Sequence, residues 1–176
     1  MKIAIDIGHA AGTGARGNGL EEHAECSVIA RHLLQALTAR GHVSRIIDFP
    51  TGTNREDLNA TIREINAGDF DLSVSLHCDC SDDPAPHGAH ACFVSSAGAQ
   101  CAAEIAILLS ELLPGRACKT VYRGNLAVLT RTNCPAVLVE CGFISNAHDA
   151  KIIHEQPAEI AERIAEGINI WSKRRA

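Results

Sequence analysis

The sequence predicts an α/β fold: a twisted, mostly parallel (mixed) sheet of about six strands, flanked by helices on both faces. Three observations carry this. Apolar runs of strand length alternate with longer stretches of helical periodicity, the pattern of βαβ units. Residues 136–139 form an unbroken apolar run, opened by Pro135 and closed by Glu140 and Gly142, which suits a strand covered on both faces. The 176 residues, 46% of them apolar, supply one sizeable core and leave no room for a second module of ordinary size.

In chain order, Lys2–Ile7 reads as the first strand. Residues 8–19 form a glycine-rich loop. A helix follows over 21–40, with Ile29, Leu33, Ala36 and Leu37 as its apolar stripe and Gly41 as its stop. Residues 43–47 make a second strand. Thr53 and Glu56 have capping-box spacing and open a helix that runs to Ala67. The third strand spans 71–76 and ends at His77, before a polar loop over 81–88. A strand over 89–94 and a helix over 99–113 come next, the helix ended by Pro114 and Gly115. Residues 126–129 are expected to form a short strand before the central one at 136–139. Pro157 starts the last helix, which buries Ile160, Ile164, Ile168 and Trp171. The short connections near 88–95 and 121–136 are what would make the sheet mixed.

Composition excludes several function classes. A net charge of -5 argues against a nucleic-acid binder, whose footprint is a basic face. No stretch reaches the roughly 18–20 apolar residues of a membrane span, and the first residues read as a strand rather than a signal peptide. Several of the eight cysteines lie in apolar runs; with no export signal they are expected to be mostly reduced, and the lack of Cys-x-x-Cys spacing argues against a zinc finger.

The functional signal lies where strands end. His9 follows the first strand, His77 closes the third, and Glu140 closes the central one. Ligands bind at the carboxyl ends of strands in open α/β sheets. Glu22, in the first turn of the first helix, would start from the same rim. Two imidazoles, one carboxylate and an open position suit a catalytic zinc, and a second carboxylate could move the proton. Each residue also has an ordinary reading. His9 fits a turn, His77 a hydrogen-bonded core position, and Glu22 a helix N-terminus where an acid complements the dipole. Glu21 competes with Glu22 as a ligand. Glu140 is hardest to dismiss, because an acid after four apolar residues needs a partner if buried. His87 and His90 lie in or beside a loop, and nothing in the sequence requires either at the site.

Four segments share a pattern: Asp6-Ile7-Gly8-His9, Gly19-Leu20-Glu21-Glu22, Ser75-Leu76-His77-Cys78-Asp79, and residues 135–146, preceded by Leu129-Thr130-Arg131-Thr132. Together they resemble the zinc-dependent N-acetylmuramoyl-L-alanine amidases of the type-3 amidase family over nearly the whole chain. The last segment is long and specific; the other three are short but fall in the right order on the right elements. The resemblance implies one zinc ion (Zn2+) per chain, held by His9, Glu22 and His77, with Glu140 as the catalytic carboxylate. The register favours Glu22 over Glu21, because the family's glutamate stands three residues after the glycine. Ile7, Ala10 and Asp79 stand where the family usually has proline, glycine and asparagine.

The implied reaction is hydrolysis of the amide between the lactyl group of N-acetylmuramic acid and L-alanine in peptidoglycan. The implied partners are the stem peptide and muramic acid, met by a monomer whose residues 1–176 form one catalytic domain without a separate cell-wall-binding domain. With few aromatic residues, recognition is expected through the peptide stem and polar contacts. The enzyme would act on the cell wall. Without an export signal it would be a phage-type endolysin, an excised domain of a secreted enzyme or a sporulation hydrolase. The competing readings are a zinc peptidase with the same site and a non-wall substrate, a non-catalytic wall-binding domain, and a cysteine hydrolase using Cys78 or Cys141.

Overall fold

The computed structural model describes residues 1–175. Strand β1 (Lys2–Ile7) leads into a loop that carries a two-stranded ribbon, β2 (Arg16–Gly17) and β3 (Leu20–Glu21), and then helix α1 (Glu22–Ala39). Strand β4 (Val43–Ile47), helix α2 (Asn54–Ala67) and strand β5 (Leu72–Asp79) follow. Next come β6 (His90–Phe93), α3 (Ser96–Leu112), β7 (Thr120–Tyr122) and the short α4 (Ala127–Thr130). Strand β8 (Ala136–Phe143) and helices α5 (Ala147–Glu155) and α6 (Pro157–Lys173) complete the chain.

The six-stranded sheet has the order β4-β1-β5-β8-β6-β7. Neighbours run parallel except at β6–β8, where the register is antiparallel. The sheet is therefore mixed, as expected. Its two faces are unequally covered. Ile3, Ile5, Val74, Leu76, Val137 and Val139 point into the main core with the apolar stripes of α1, α3 and α6. Gly167 allows α6 to cross α3 closely, since a Cβ there would lie 2.7 Å from the Ile105 backbone. The alternate residues face α2 and the four-residue α4. Ala4 packs with Ile47 and Ile65, while Cys92, Ala136 and Leu138 pack with Val128 and Leu129. That thinner layer leaves the strand ends open on one side.

Local chemistry explains most boundaries. Thr53 and Glu56 form the capping box: the Thr53 hydroxyl accepts from the Glu56 N–H, and the Glu56 carboxylate accepts from the Thr53 N–H. Asn146 caps α5 by accepting from His148 and Asp149. One expectation fails. Residues 126–129 are not a strand; the Leu126 carbonyl accepts from the Leu129 and Thr130 amides and starts the turn α4. Four apolar residues are too few to distinguish the two periods. The strand ends also differ. Both β5 and β8 continue beyond His77 and Glu140, to Asp79 and Phe143, through a register shift between His77 and Asp79.

Candidate metal centre

His77, Glu140 and His90 stand side by side on β5, β8 and β6, as register partners. Paired residues on neighbouring strands share a face, so all three project into the thinly covered side of the sheet. His9 and Glu22 reach the same rim from the loop after β1 and the first turn of α1.

Two glycines make this approach possible. A Cβ on Gly8 would lie 2.2 Å from the His77 ring, and one on Gly14 would lie 2.7 Å from Glu22 Oε2. His9 itself adopts a φ of 64°, a left-handed conformation uncommon outside glycine. The loop therefore accepts local strain at the residue whose imidazole enters the cluster.

Glu22 is 2% exposed and nearly saturated with donors. Oε1 accepts from the Cys78 N–H at 2.9 Å and lies 3.1 Å from His77 Nδ1. Oε2 accepts from the Ala15 N–H at 2.7 Å and lies 3.5 Å from His9 Nε2. One ligating atom from each of His9, Glu22 and His77 falls within 4.8 Å of the others. The two imidazoles meet edge to face, with centroids 5.0 Å apart. Glu21 faces elsewhere, accepting from the Gly12 N–H at 2.9 Å and stapling the loop.

The electrostatics reflect crowded opposite charges. Burial alone would raise the Glu22 carboxyl, but the His77 hydrogen bond and charge, the Cys78 amide and His9 bring it below the usual carboxylate range. Burial would likewise depress His77, yet its bond to Glu22 and the charges of Glu140, Glu22 and Asp6 lift it to about 9. Glu140 moves the other way. Burial raises it to about 7, with Asp79 and Glu22 adding to the rise and His77 and Arg116 opposing it. Its Oε2 is buried and has no hydrogen-bond partner among the described residues. A cradle of two imidazoles and a deeply held carboxylate, beside an unsatisfied carboxylate oxygen, fits a tetrahedral divalent cation with an open position.

A cavity of about 170 Å³ opens beside His9 and His77 under α2 and α4. Leu58, Val128 and Leu138 line it, with the acids Asp6 and Asp57. Beyond Glu140, His90 Nδ1 lies 3.3 Å from Asp79 Oδ2, and burial holds that imidazole down at about 4. From its place beside a loop, His90 could approach the site, but nothing in the sequence required it. The available signal was the alternation in 89–94, which puts His90 and Cys92 on one face.

All eight cysteines are unpaired. Burial pushes the Cys141 thiol far up. At Cys78 a hydrogen bond with Cys26 pulls down, and burial together with the Glu22, Glu140 and Glu25 charges more than reverses it. Neither thiol suits a thiolate nucleophile, and the cysteine-hydrolase reading loses its support. No helix among the described residues is long and apolar enough to cross a membrane.

Comparison with known proteins gives a consistent result. Residues 3–170 match the family model described as N-acetylmuramoyl-L-alanine amidase. The N-acetylmuramoyl-L-alanine amidase LytC of Bacillus subtilis (strain 168) is 28% identical over 156 residues, spanning 84% of this chain but 30% of LytC. The catalytic domain of CD27L, an endolysin targeting Clostridia difficile, superposes with a TM-score of 0.87 at 27% identity, covering 96% of each chain. The amidase AmiC2 of Nostoc punctiforme shares the fold, with a TM-score of 0.87 at 21% identity over 99% of this chain and 98% of that one. With the family model matched almost from end to end, this chain belongs to the N-acetylmuramoyl-L-alanine amidases, hydrolases of the peptidoglycan amide bond.

Proposed function

We propose that His9, Glu22 and His77 hold one zinc ion per chain, and that Glu140 is the proton carrier in cleavage of the amide between the lactyl group of N-acetylmuramic acid and L-alanine. The observation carrying this reading is the convergence of three ligating atoms within 4.8 Å on a rim shared with Glu140. When bound, zinc would supply a Lewis acid for the scissile carbonyl and lower the pKa of water.

The protein's own groups do the rest. Glu22, fixed by two backbone amides, sets the orientation of both imidazoles. Glu140, poised by burial near neutrality, accepts a proton as water oxygen bonds to the lactyl carbonyl carbon. It returns that proton to the departing nitrogen as the C–N bond breaks. The products are the lactyl carboxylic acid and a peptide with a free L-alanine amine. In this reading the chain acts as one catalytic unit, a monomer at the cell wall.

The test combines metal analysis with product identification. The purified protein is expected to carry zinc in a 1:1 ratio and to release peptides with new L-alanine N-termini from peptidoglycan. Glu140→Gln should retain the zinc and lose about 10²–10⁴ in turnover. Substoichiometric zinc, or near-normal turnover by that variant, would remove the assignment.

A further inference from the structure

Two arginines stand beside the site and take no part in the reaction as described. Arg116 lies before β7, with its guanidinium 5.3 Å from the Phe143 ring centroid. Phe143 is the register partner of Asp79, so this charge sits over the strand ends just past Glu140. Arg123 follows β7 and is tied there by its N–H, which donates to the Phe93 carbonyl at 2.9 Å. Among the described residues neither forms an ion pair; the arginines that do are Arg40, Arg45, Arg163 and Arg174. Their fields nevertheless reach the site. Burial is the main cause of the low His90 value, and both guanidinium charges add to it. Both also oppose the rise that burial imposes on Asp79.

The rim is therefore divided by charge. At the β1 end, Asp6 and Asp57 line a cavity together with Leu58, Val128 and Leu138. At the β6–β7 end stand two guanidinium groups outside any ion pair, near enough to Asp79 and His90 for their charges to act on both. The two sides of the scissile amide differ in the same way. The muramoyl side is an N-acetylated sugar whose lactyl carboxyl is consumed in the amide, so it is uncharged. The peptide side carries carboxylates. Guanidinium groups bind carboxylates through paired N–H donors, and two of them at one end of a groove discriminate by charge as well as shape.

The geometry points to Arg116 and Arg123 as a subsite for a carboxylate on the peptide side of the scissile amide, which fixes the direction in which the substrate lies across Glu140. This inference rests on the amidase reading for its ligand, and the experiment separates the two. The probes are N-acetylmuramoyl-L-alanyl-D-glutamic acid and the same compound with both glutamyl carboxyls amidated. Affinities are measured calorimetrically on the zinc-supplemented Glu140→Gln protein, which prevents turnover.

The acid is expected to bind at least about tenfold more tightly than the diamide at low ionic strength, with the ratio shrinking as salt is added. Adding Arg116→Gln and Arg123→Gln should bring the ratio toward one. Lysine at both positions should keep part of it, since the charge remains. Equal affinities in the parent, no binding of the acid, or an unchanged ratio in the double glutamine variant would each overturn the subsite. A charge preference that depends on the arginines, in a protein that with Glu140 intact hydrolyses neither probe, would support the subsite and refute the amidase reading.

Discussion

Glu140 and Asp57 are both carboxyls raised by burial, and the same perturbation has opposite consequences at the two positions. For Glu140, burial raises the carboxyl to about 7. A divalent charge in the adjacent cradle favours the ionised form and moves the carboxyl down. The acid limb of kcat/KM should therefore rise with pH through a midpoint between about 4.5 and 7, and a flat profile from pH 4 to 8 would contradict the role of Glu140 as base. Asp57 has no such use in the reaction. It is 4% exposed, its Oδ1 lacks a hydrogen-bond partner among the described residues, and burial plus the Asp6 and Asp48 charges push it up to about 6. A carboxyl raised in the folded state contributes relative stability below its unfolded value, and loses it as pH rises through the folded value. Above pH 6 its ionisation costs about 1–3 kcal/mol. Asp57→Asn is expected to stabilise the protein by that amount at pH 8 and by almost nothing at pH 4. Urea unfolding at the two pH values would check it, and equal gains at both would exclude the titration as the cause.

At the scale of elements, the loop after β1 does more for the site than its lack of regular structure suggests. Gly8 leaves room for the His77 ring, and Gly14 leaves room for the Glu22 carboxylate. Gly8→Ala should displace His77 and reduce bound zinc at least tenfold while the fold persists, as read by metal analysis beside far-UV circular dichroism; normal zinc content would show that the ring can move aside without loss. This dependence explains what could be read from the sequence. The long periodic helices, the capping box and the unbroken run in β8 were legible because each is a local pattern. The convergence of His9, Glu22 and His77 beside Glu140 was legible because each stands at the edge of such a pattern. Three features depend on long-range contacts and were not. The short α4 has too few residues to show a period. Strand β7 is only three residues long and forms against β6. Asp149 is fully buried and accepts from the Gly88 and Phe143 amides at 2.6 and 2.9 Å, joining the loop after β5 to the end of β8. That loop delivers His90 to the rim, so its position followed from a contact 61 residues away.

Across the whole molecule, the metal cradle is a tie between distant parts of the chain. Its residues come from the loop after β1, the start of α1 and the middle of β5, which pack on one another through the main core. A cation held there binds the folded chain and not the unfolded one, so it adds stability by mass action. At a free concentration about 1,000-fold above Kd this amounts to about 4 kcal/mol, or roughly 8–16 °C in Tm for a chain of this size. The effect should also depend on pH with a definite sign. Without metal, His77 is raised to about 9 by its pairing, which contributes stability below its ordinary value and loses it as pH rises through 9. Glu22 is depressed, so its contribution is present above the ordinary carboxylate range. The metal-free pair is thus protonated and intact at pH 6, and zinc must displace a proton from His77 in order to bind. Chelation is therefore expected to lower Tm more at pH 8.5 than at pH 6, and His77→Ala should abolish the chelator response at both. Thermal scans with and without a chelator measure this directly, and a chelator-induced shift in Tm that is larger at pH 6 would mean that the stabilising cation is held by other groups.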